Sequence, residues 1–411
     1  MDEVPEAHGA PSPAFTIERV DAARALLTGV IRATPSTYSD SLSRKLSREV
    51  WLKPEFRQRT GSFKIRGAYT MQAALGDGAA VVAGSAGNHA QGVALAASLL
   101  GQQATIFMPT NASLPKVQAT RSYGARVLLG HDTVDDCIEA AREFAADEGA
   151  TFVPPFDHPD IVAGQATIGL ELIDEVPDLG AVLVAIGGGG LCAGVAAAVK
   201  ARRPDVRIIG VVAEGAASIV ESLAAGEPRS VQPRTIADGI ALKAPATLTL
   251  ELIRDHVDEV VTVSDEAISR AMLLLVERAK SVVEPAGAAP LAALLEGRVR
   301  AIGGATVVVL GGGNVDPLLL GKLIEHGMSV AGRFLVFRAV MSDRPGSLAW
   351  LSETLAEMGL NVLDVEHHRT GVRLPLSQVE MQVTVETRDH EHRAAVLAQL
   401  AGRGFDVDLV E

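Results

Sequence analysis

From about residue 79 onward, short apolar runs alternate with longer helical patterns, and several of the runs end in glycine. AAVVAGS (79–85), ATIFMP (104–109), ARVLLG (125–130), AVLVAIG (181–187), RIIGVVAE (207–214), EVVTVS (259–264) and ATVVVLG (305–311) read as strands. Helical stretches separate them, among them AQGVALAASLLG, SLPKVQATRSYG, TVDDCIEAAREFAADEG and LCAGVAAAVKARR, with Thr133 and Asp135 marking one helix start. Strands that are apolar on both faces and separated by helices belong to a mainly parallel sheet covered on both sides, so the chain is α/β. In such folds ligands bind beyond the carboxyl ends of the strands. The glycine-rich stretches GSAGNHAQG, IGGGGL and LGGGNVD all fall at such ends.

A different pattern starts near residue 332. FLVFRAVMS, NVLDVEHHR, QVEMQVTVET and FDVDLVE read as strands, and PGSLAWLSETLAEMG and HEHRAAVLAQLAGRG as helices. The resulting order β-α-β-β-α-β is the ferredoxin-like arrangement. Residues 1–15 are acidic and proline-containing and read as a disordered lead. Residues 16–325 read as the α/β domain, with a smaller subdomain inserted at roughly 75–155. Residues 326–331 read as a linker and 332–411 as the ferredoxin-like domain.

With 411 residues the chain has ample length for such domains, and its formal net charge of −13 argues against nucleic acid or an anionic membrane as partner. The two cysteines, Cys137 and Cys192, form neither a CxxC pair nor a disulfide framework. No apolar run is long enough to span a bilayer, and no signal or transit peptide is evident, so the cytoplasm is the expected location.

Three stretches carry chemistry. In GSFKIRGAY (61–69), Lys64 lies in a Gly–Ser turn that enters a helix. It reads either as a solvated lysine or as a desolvated amine whose lowered pKa makes it a nucleophile. In IGGGGL (186–191), Gly187, Gly188, Gly189 and Gly190 with Leu191 let backbone amides at a helix N-terminus approach an anion closely. The loop matches neither the P-loop nor the spaced dinucleotide fingerprint, so a phosphate on another cofactor is its natural ligand, with a tight turn as the alternative. In SAGNHAQG (85–92), the segment Ser85, Ala86, Gly87, Asn88 and His89 could grip a carboxylate through its amides, and Asn88 could bond a ring oxygen. Equally, Ser85 or Asn88 could be an N-cap and His89 a satisfied core residue. A reactive amine, a phosphate seat and an amide side chain are together what pyridoxal 5'-phosphate requires.

RTGSFKIRGAY, GSAGNHAQGVALAA, FDHPDIVAGQATIGLEL, VAIGGGGLCAGV, TIADGIA, VVEPAGAA and GGGNVD resemble, in this order, the motifs of the threonine ammonia-lyases. These enzymes belong to the tryptophan-synthase-like (fold type II) pyridoxal-phosphate group. The resemblance implies a catalytic domain of two parallel-sheet subdomains and β-elimination from L-threonine, and from L-serine, to a 2-oxo acid and ammonia; the alternatives are the same lyase chemistry on another 3-hydroxy amino acid in a specialised pathway, or a low-activity sensor protein that binds pyridoxal phosphate. Lys64 is then the residue bonded to the cofactor aldehyde and the base at Cα. Phe63 and Asn88 flank the ring, Gly187–Leu191 hold the phosphate, and Gly239, Glu284 and Gly311 lie near the ring. Ser85 to His89 take the substrate carboxylate.

Departures from the family pattern carry expectations of their own. Related serine racemases carry a serine where this chain has Ala86, so racemisation is expected to be slow. Glu214 matches one member of their cation-binding acidic pair, but no acidic residue follows before Glu221, and no metal site is expected. Gly311 replaces a serine or cysteine that usually meets the pyridine nitrogen, so an altered substrate range or a reduced rate is expected. Phe56 and Arg57 also depart from the family pattern and are expected to reshape the substrate side.

SDRPGSLAWLSETLAEMGLNVLDVEHHR resembles an ACT domain, a small-molecule sensing module. Its first turn places Arg344, Gly346, Ser347 and Leu348 where an amino-acid effector would bind, the alternative being a module that serves assembly alone. The resemblance further implies a homotetramer or homodimer.

Overall fold

The computed structural model describes residues 15–300, 303–369, 375 and 377–410, so most of the expected N-terminal lead lies outside the described residues. Phe15, assigned to that lead, is instead buried in the core at 5 % exposure. The chain divides into two compact units between Leu320 and Gly321.

The first unit contains two sheets. The larger has six strands in the order β1 (Thr37–Tyr38), β2 (Val50–Lys53), β10 (Ala305–Val309), β7 (Leu179–Ala185), β8 (Arg207–Ala213) and β9 (Glu259–Val263). All neighbours pair in parallel except β1 with β2. The smaller sheet is wholly parallel, in the order β5 (Arg126–Leu129), β4 (Gln103–Met108), β3 (Ala80–Gly84) and β6 (Thr151–Phe152). The apolar runs form these strands because both faces are covered: β10 is buried at every position and β8 at all but its first.

Helices Pro159–Glu175 and Gly190–Arg202 pack closely because glycine and alanine line their contact. A Cβ on Gly194 would sit 2.6 Å from the Val162 carbonyl oxygen. Thr133 caps the helix Val134–Glu148 and Asp135 lies in its first turn, as expected; Asp136 bonds back to Thr133 and completes a capping box.

The second unit forms a four-stranded antiparallel sheet, in the order β12 (Val362–His368), β13 (Gln378–Glu386), β11 (Phe334–Ser342) and β14 (Asp406–Leu409). With helices Ser347–Glu357 and His390–Gly402 this is the ferredoxin-like topology. Leu335, Phe337, Leu351, Leu355, Val383 and Leu400 build its core. The segment 326–331, expected as a linker, is largely helical: the helix Pro317–Val330 runs through most of it, with Gly327 buried within, and the turn comes at Gly332 with φ +70°.

One buried ionic network ties the first unit together near Lys64. Arg66 and Lys53 are fully buried. The Arg66 guanidinium donates to both oxygens of the buried Glu55 at 2.9 Å, to Glu171 at 2.6 and 2.9 Å, and to Thr167 at 3.0 Å. Lys53 reaches Glu171 at 2.7 Å and Glu175 at 2.9 Å. Burial alone would raise the Glu171 carboxyl, but Arg66 and Lys53 outweigh it and hold it below the usual range. Removing one member leaves a buried charge unpaired. Arg66→Leu should therefore cost about 3–5 kcal/mol of apparent stability. The readout is urea unfolding followed by Trp51 fluorescence in a Trp350→Phe background, and adding Glu55→Leu should recover part of the loss. A loss below about 1 kcal/mol would show that the network does not hold the unit together.

Candidate active site

Lys64 is placed by the chain on both sides of it. Gly61, at φ +73°, turns the backbone toward 312–314: the Gly313 amide donates to the Gly61 carbonyl at 2.9 Å, and the Asn314 side chain to the Thr60 carbonyl at 2.7 Å. The Phe63 amide then bonds the Gly311 carbonyl at 3.1 Å, and the helix Lys64–Gln72 begins. Gly92 allows the next helix to approach, since a Cβ there would lie 3.2 Å from that of Lys64.

The Lys64 amine donates to the Pro155 carbonyl at 2.7 Å and faces a cavity of about 740 Å³. Although it is accessible from that cavity, protein surrounds it. Burial pushes its pKa down to about 8, against an opposing pull from Glu284. The desolvated-amine reading of this lysine thus holds over the solvated one.

Gly187–Leu191 line the same cavity between the end of β7 and the helix Gly190–Arg202. Gly189 is the N-cap at φ +92°, and no side chain caps the helix, so its first amides are left for a ligand. Close packing requires glycine here: a Cβ on Gly188 would fall 2.2 Å from the Phe156 ring, and one on Gly187 would fall 2.9 Å from Ile240 Cα.

Ser85–His89 follow β3 at the cavity wall. Neither Ser85 nor Asn88 is the N-cap of the helix Asn88–Leu99; Gly87 is, and Ser85 Oγ accepts from the Gly87 amide at 3.2 Å. A Cβ on Gly87 would meet nothing within 4 Å, so open space lies beside this turn. His89 is buried, with Nε2–H donating to the Val153 carbonyl at 2.9 Å. Burial, reinforced by Lys64, pushes its pKa down to about 3 against that bond, so the ring is neutral. The core-histidine reading holds for the His89 side chain; of the segment's amides, that of Ser85 bonds the Phe107 carbonyl at 3.0 Å and that of Gly87 bonds Ser85 Oγ.

Asn88 Nδ2 donates to Glu284 Oε1 at 2.7 Å, and its Oδ1 accepts from Asn314 Nδ2 at 2.7 Å, which leaves the second Nδ2–H for a ring oxygen. Burial, with Asp238 adding to it, pushes the Glu284 carboxyl up to about 7, while Lys116 and the Asn88 and Asn314 amides act against the rise. Gly312 admits that carboxylate: a Cβ there would lie 2.2 Å from Oε1. Gly239 and Gly311 also line the cavity.

Phe56 and Arg57 do not. Phe56 packs on Gly313, and the Arg57 guanidinium lies 5.4 Å from the Phe56 ring centre, so the expectation that they shape the substrate side is withdrawn. Residues not singled out from the sequence join the site instead. Lys116 pairs with Asp238 at 2.7 Å and Ser113 with Asp316 at 2.8 Å, linking the chain beyond β4 to loops of the larger sheet at the cavity edge. Asp238 and Asn314 lie inside the quoted motifs TIADGIA and GGGNVD, but spacing alone does not show what they face.

The residues fit pyridoxal phosphate: a desolvated lysine amine, an uncapped glycine loop of phosphate-binding type, and an amide with one free donor share one cavity. The Pyridoxal-phosphate dependent enzyme family matches residues 27–312, and the ACT domain family matches 336–404. The L-threonine ammonia-lyase of Thermotoga maritima is 42 % identical over 400 residues, covering 96 % of this chain and all of the relative. That of Geobacter sulfurreducens is 45 % identical over 387 residues, covering 93 % and 96 %. This chain belongs to the threonine ammonia-lyase group of pyridoxal-phosphate-dependent enzymes. The structure of the processed form of threonine deaminase isoform 2 from Solanum lycopersicum superposes with a TM-score of 0.71 at 32 % identity, covering 79 % of this chain and 98 % of that one.

The glycine loop yields a prediction for this lyase. In Gly188→Ala the added methyl must displace the Phe156 ring, an overpacking cost of about 1–3 kcal/mol that falls on the loop. Cofactor affinity should drop roughly tenfold or more, read by equilibrium dialysis. Unchanged affinity would show that the loop does not seat the cofactor.

Proposed function

We propose that this protein deaminates L-threonine to 2-oxobutanoate and ammonia, and L-serine to pyruvate and ammonia, with Lys64 as its catalytic residue. The observation that carries the reading is the partly desolvated Lys64 amine in the cavity that the Gly187–Leu191 loop also lines. When bound, pyridoxal phosphate supplies an electron sink for negative charge at the substrate Cα. The chain supplies the rest.

Amides of Gly187–Leu191 hold the phosphate, Phe63 flanks the ring, Asn88 bonds its oxygen, and Gly239, Glu284 and Gly311 line its surroundings. Amides of the Ser85–His89 segment hold the substrate carboxylate, which fixes Cα–H toward Lys64. The unprotonated Lys64 amine takes the Cα proton as general base. The β-hydroxyl departs as water, which in net carries off the proton taken from Cα, and the released enamine tautomerises and hydrolyses in solution to the 2-oxo acid and ammonia. Ala86 has no ionisable group with which to return a proton to the opposite face of Cα, which favours elimination over racemisation.

An amino-acid effector at Arg344, Gly346, Ser347 and Leu348 belongs to the same proposal. There Gly346, at φ +98°, precedes the helix Ser347–Glu357, and Ser347 Oγ bonds the Ser342 carbonyl at 2.8 Å. Assembly as a homotetramer or homodimer and a cytoplasmic location complete it. Among the described residues no helix is long and apolar enough to cross a membrane.

The first test is 2-oxo acid release from L-threonine, L-serine and bulkier 3-hydroxy amino acids. L-Threonine should react fastest and Lys64→Ala should abolish release; a silent panel would refute the lyase reading, and a preference for a bulky substrate would refute the threonine assignment. A second test follows from the Lys64 amine, which attacks the cofactor aldehyde only when unprotonated. Capture of cofactor by the apo-protein should therefore accelerate as pH rises through about 8 and level off above it. An increase continuing to the free-lysine value of about 10.4 would contradict a desolvated Lys64.

A further inference from the structure

The four glycines from Gly187 to Gly190 have no side chains to fix the direction of their amides, and Gly189 occupies a left-handed turn at φ +92°. Neighbours outside the loop must set its shape. Phe156 packs under it, 2.2 Å from where a Cβ on Gly188 would lie and 2.9 Å from where one on Gly190 would lie. Thr249 packs from another direction, its Cβ 2.9 Å from where a Cβ on Gly189 would lie.

Thr249 is fully buried and does not line the cavity. Its hydroxyl is 2.7 Å from the Gly188 carbonyl oxygen and 3.1 Å from that of Ala246. A hydroxyl has one proton, and the shorter contact takes it. The helix Thr247–His256 that carries Thr249 has no side-chain cap on its own N-cap residue, Ala246. The Leu248 and Thr249 amides act on the carboxyl of Asp157, the residue after Phe156, against the rise that burial gives it. The segment Phe156–Asp157 and Thr249 therefore form one clamp around the loop.

In a planar trans peptide the carbonyl and the following amide point in opposite directions. We infer that Thr249 is a positioning residue for the cofactor phosphate: by holding the Gly188 carbonyl toward itself, it presets the Gly189 amide to face the cavity. This rests on the reading that the cavity binds pyridoxal phosphate. The loop then meets the phosphate without reorganising, and the gain is confined to ligands that carry one.

The test compares apo-protein affinities for pyridoxal phosphate and for pyridoxal, which keeps the aldehyde and lacks the phosphate. Thr249→Val should weaken pyridoxal phosphate about tenfold, equivalent to about 1.4 kcal/mol, and leave pyridoxal within about twofold. Thr249→Ser should restore the phosphate-dependent part. Thr249→Ala carries the same comparison if the valine variant does not fold. Wild-type affinity for pyridoxal phosphate in the hydroxyl-free variants would overturn the inference, as would an equal loss for both ligands. Failure of the wild-type protein to bind pyridoxal phosphate would instead bring down the reading on which the inference rests.

Discussion

The bidentate contact between Arg66 and Glu55, both fully buried, is the constraint on which the active site depends. Arg66 lies two residues after Lys64, so whatever fixes its guanidinium fixes the start of the Lys64–Gln72 helix. Glu55 follows β2, and Thr167 and Glu171 lie on the helix Pro159–Glu175, so a single side chain ties a strand end to two helices. The helix Pro159–Glu175 in turn begins just after Pro155 and Phe156, which receive the Lys64 amine and floor the glycine loop. Desolvating such charges costs about as much as their attraction returns, so the network's value lies mainly in geometry. An apolar cluster of the same size could hold the helices together, but it would not set the rotation of the helix that carries Lys64.

Geometry also decides how three titratable groups share one cavity. His89 is neutral, and its bond to the Val153 carbonyl uses Nε2–H, which removes it from proton traffic near neutral pH. Glu284 and Lys64 remain, with values of about 7 and about 8: burial disfavours the charged form of each, Asp238 adds to the rise at Glu284, and Glu284 acts against the fall at Lys64. The site itself offers an amine and open helix-start amides inside a chain whose formal net charge is −13. Anions are drawn to these local donors and not to the molecule as a whole.

What the sequence made legible was local. The Gly-bounded apolar runs became the strands of two parallel sheets, and Lys64 and the glycine loop announce their chemistry within a few residues. Strand β2, VWLK, escaped because its last residue is a lysine, and Lys53 is buried only through Glu171 and Glu175 more than a hundred positions away. The helical form of the segment 326–331 was hidden for a related reason. Gly327 and Gly332 look alike in sequence, yet one is buried inside a helix and the other ends it. Asn314, Asp238 and Thr249 are silent in sequence because each acts on a segment brought near by the fold.

Gly311 is the departure from the family pattern that the structure makes most informative. Its φ is not in the left-handed region, and an added Cβ would meet Phe63 at 3.4 Å, an ordinary contact. Neither backbone conformation nor space therefore requires glycine at this position, unlike Gly188 or Gly312. Its carbonyl holds the Phe63 amide, a bond that any residue could make. What glycine changes is the absence of a hydroxyl or thiol at this point of the cavity wall, where the proposed function would set the cofactor ring. β-Elimination tolerates that loss, because the departing hydroxyl drains the electron pair that forms at Cα. Gly311 and Ala86 thus lean the same way, since each withholds a side chain that elimination can do without.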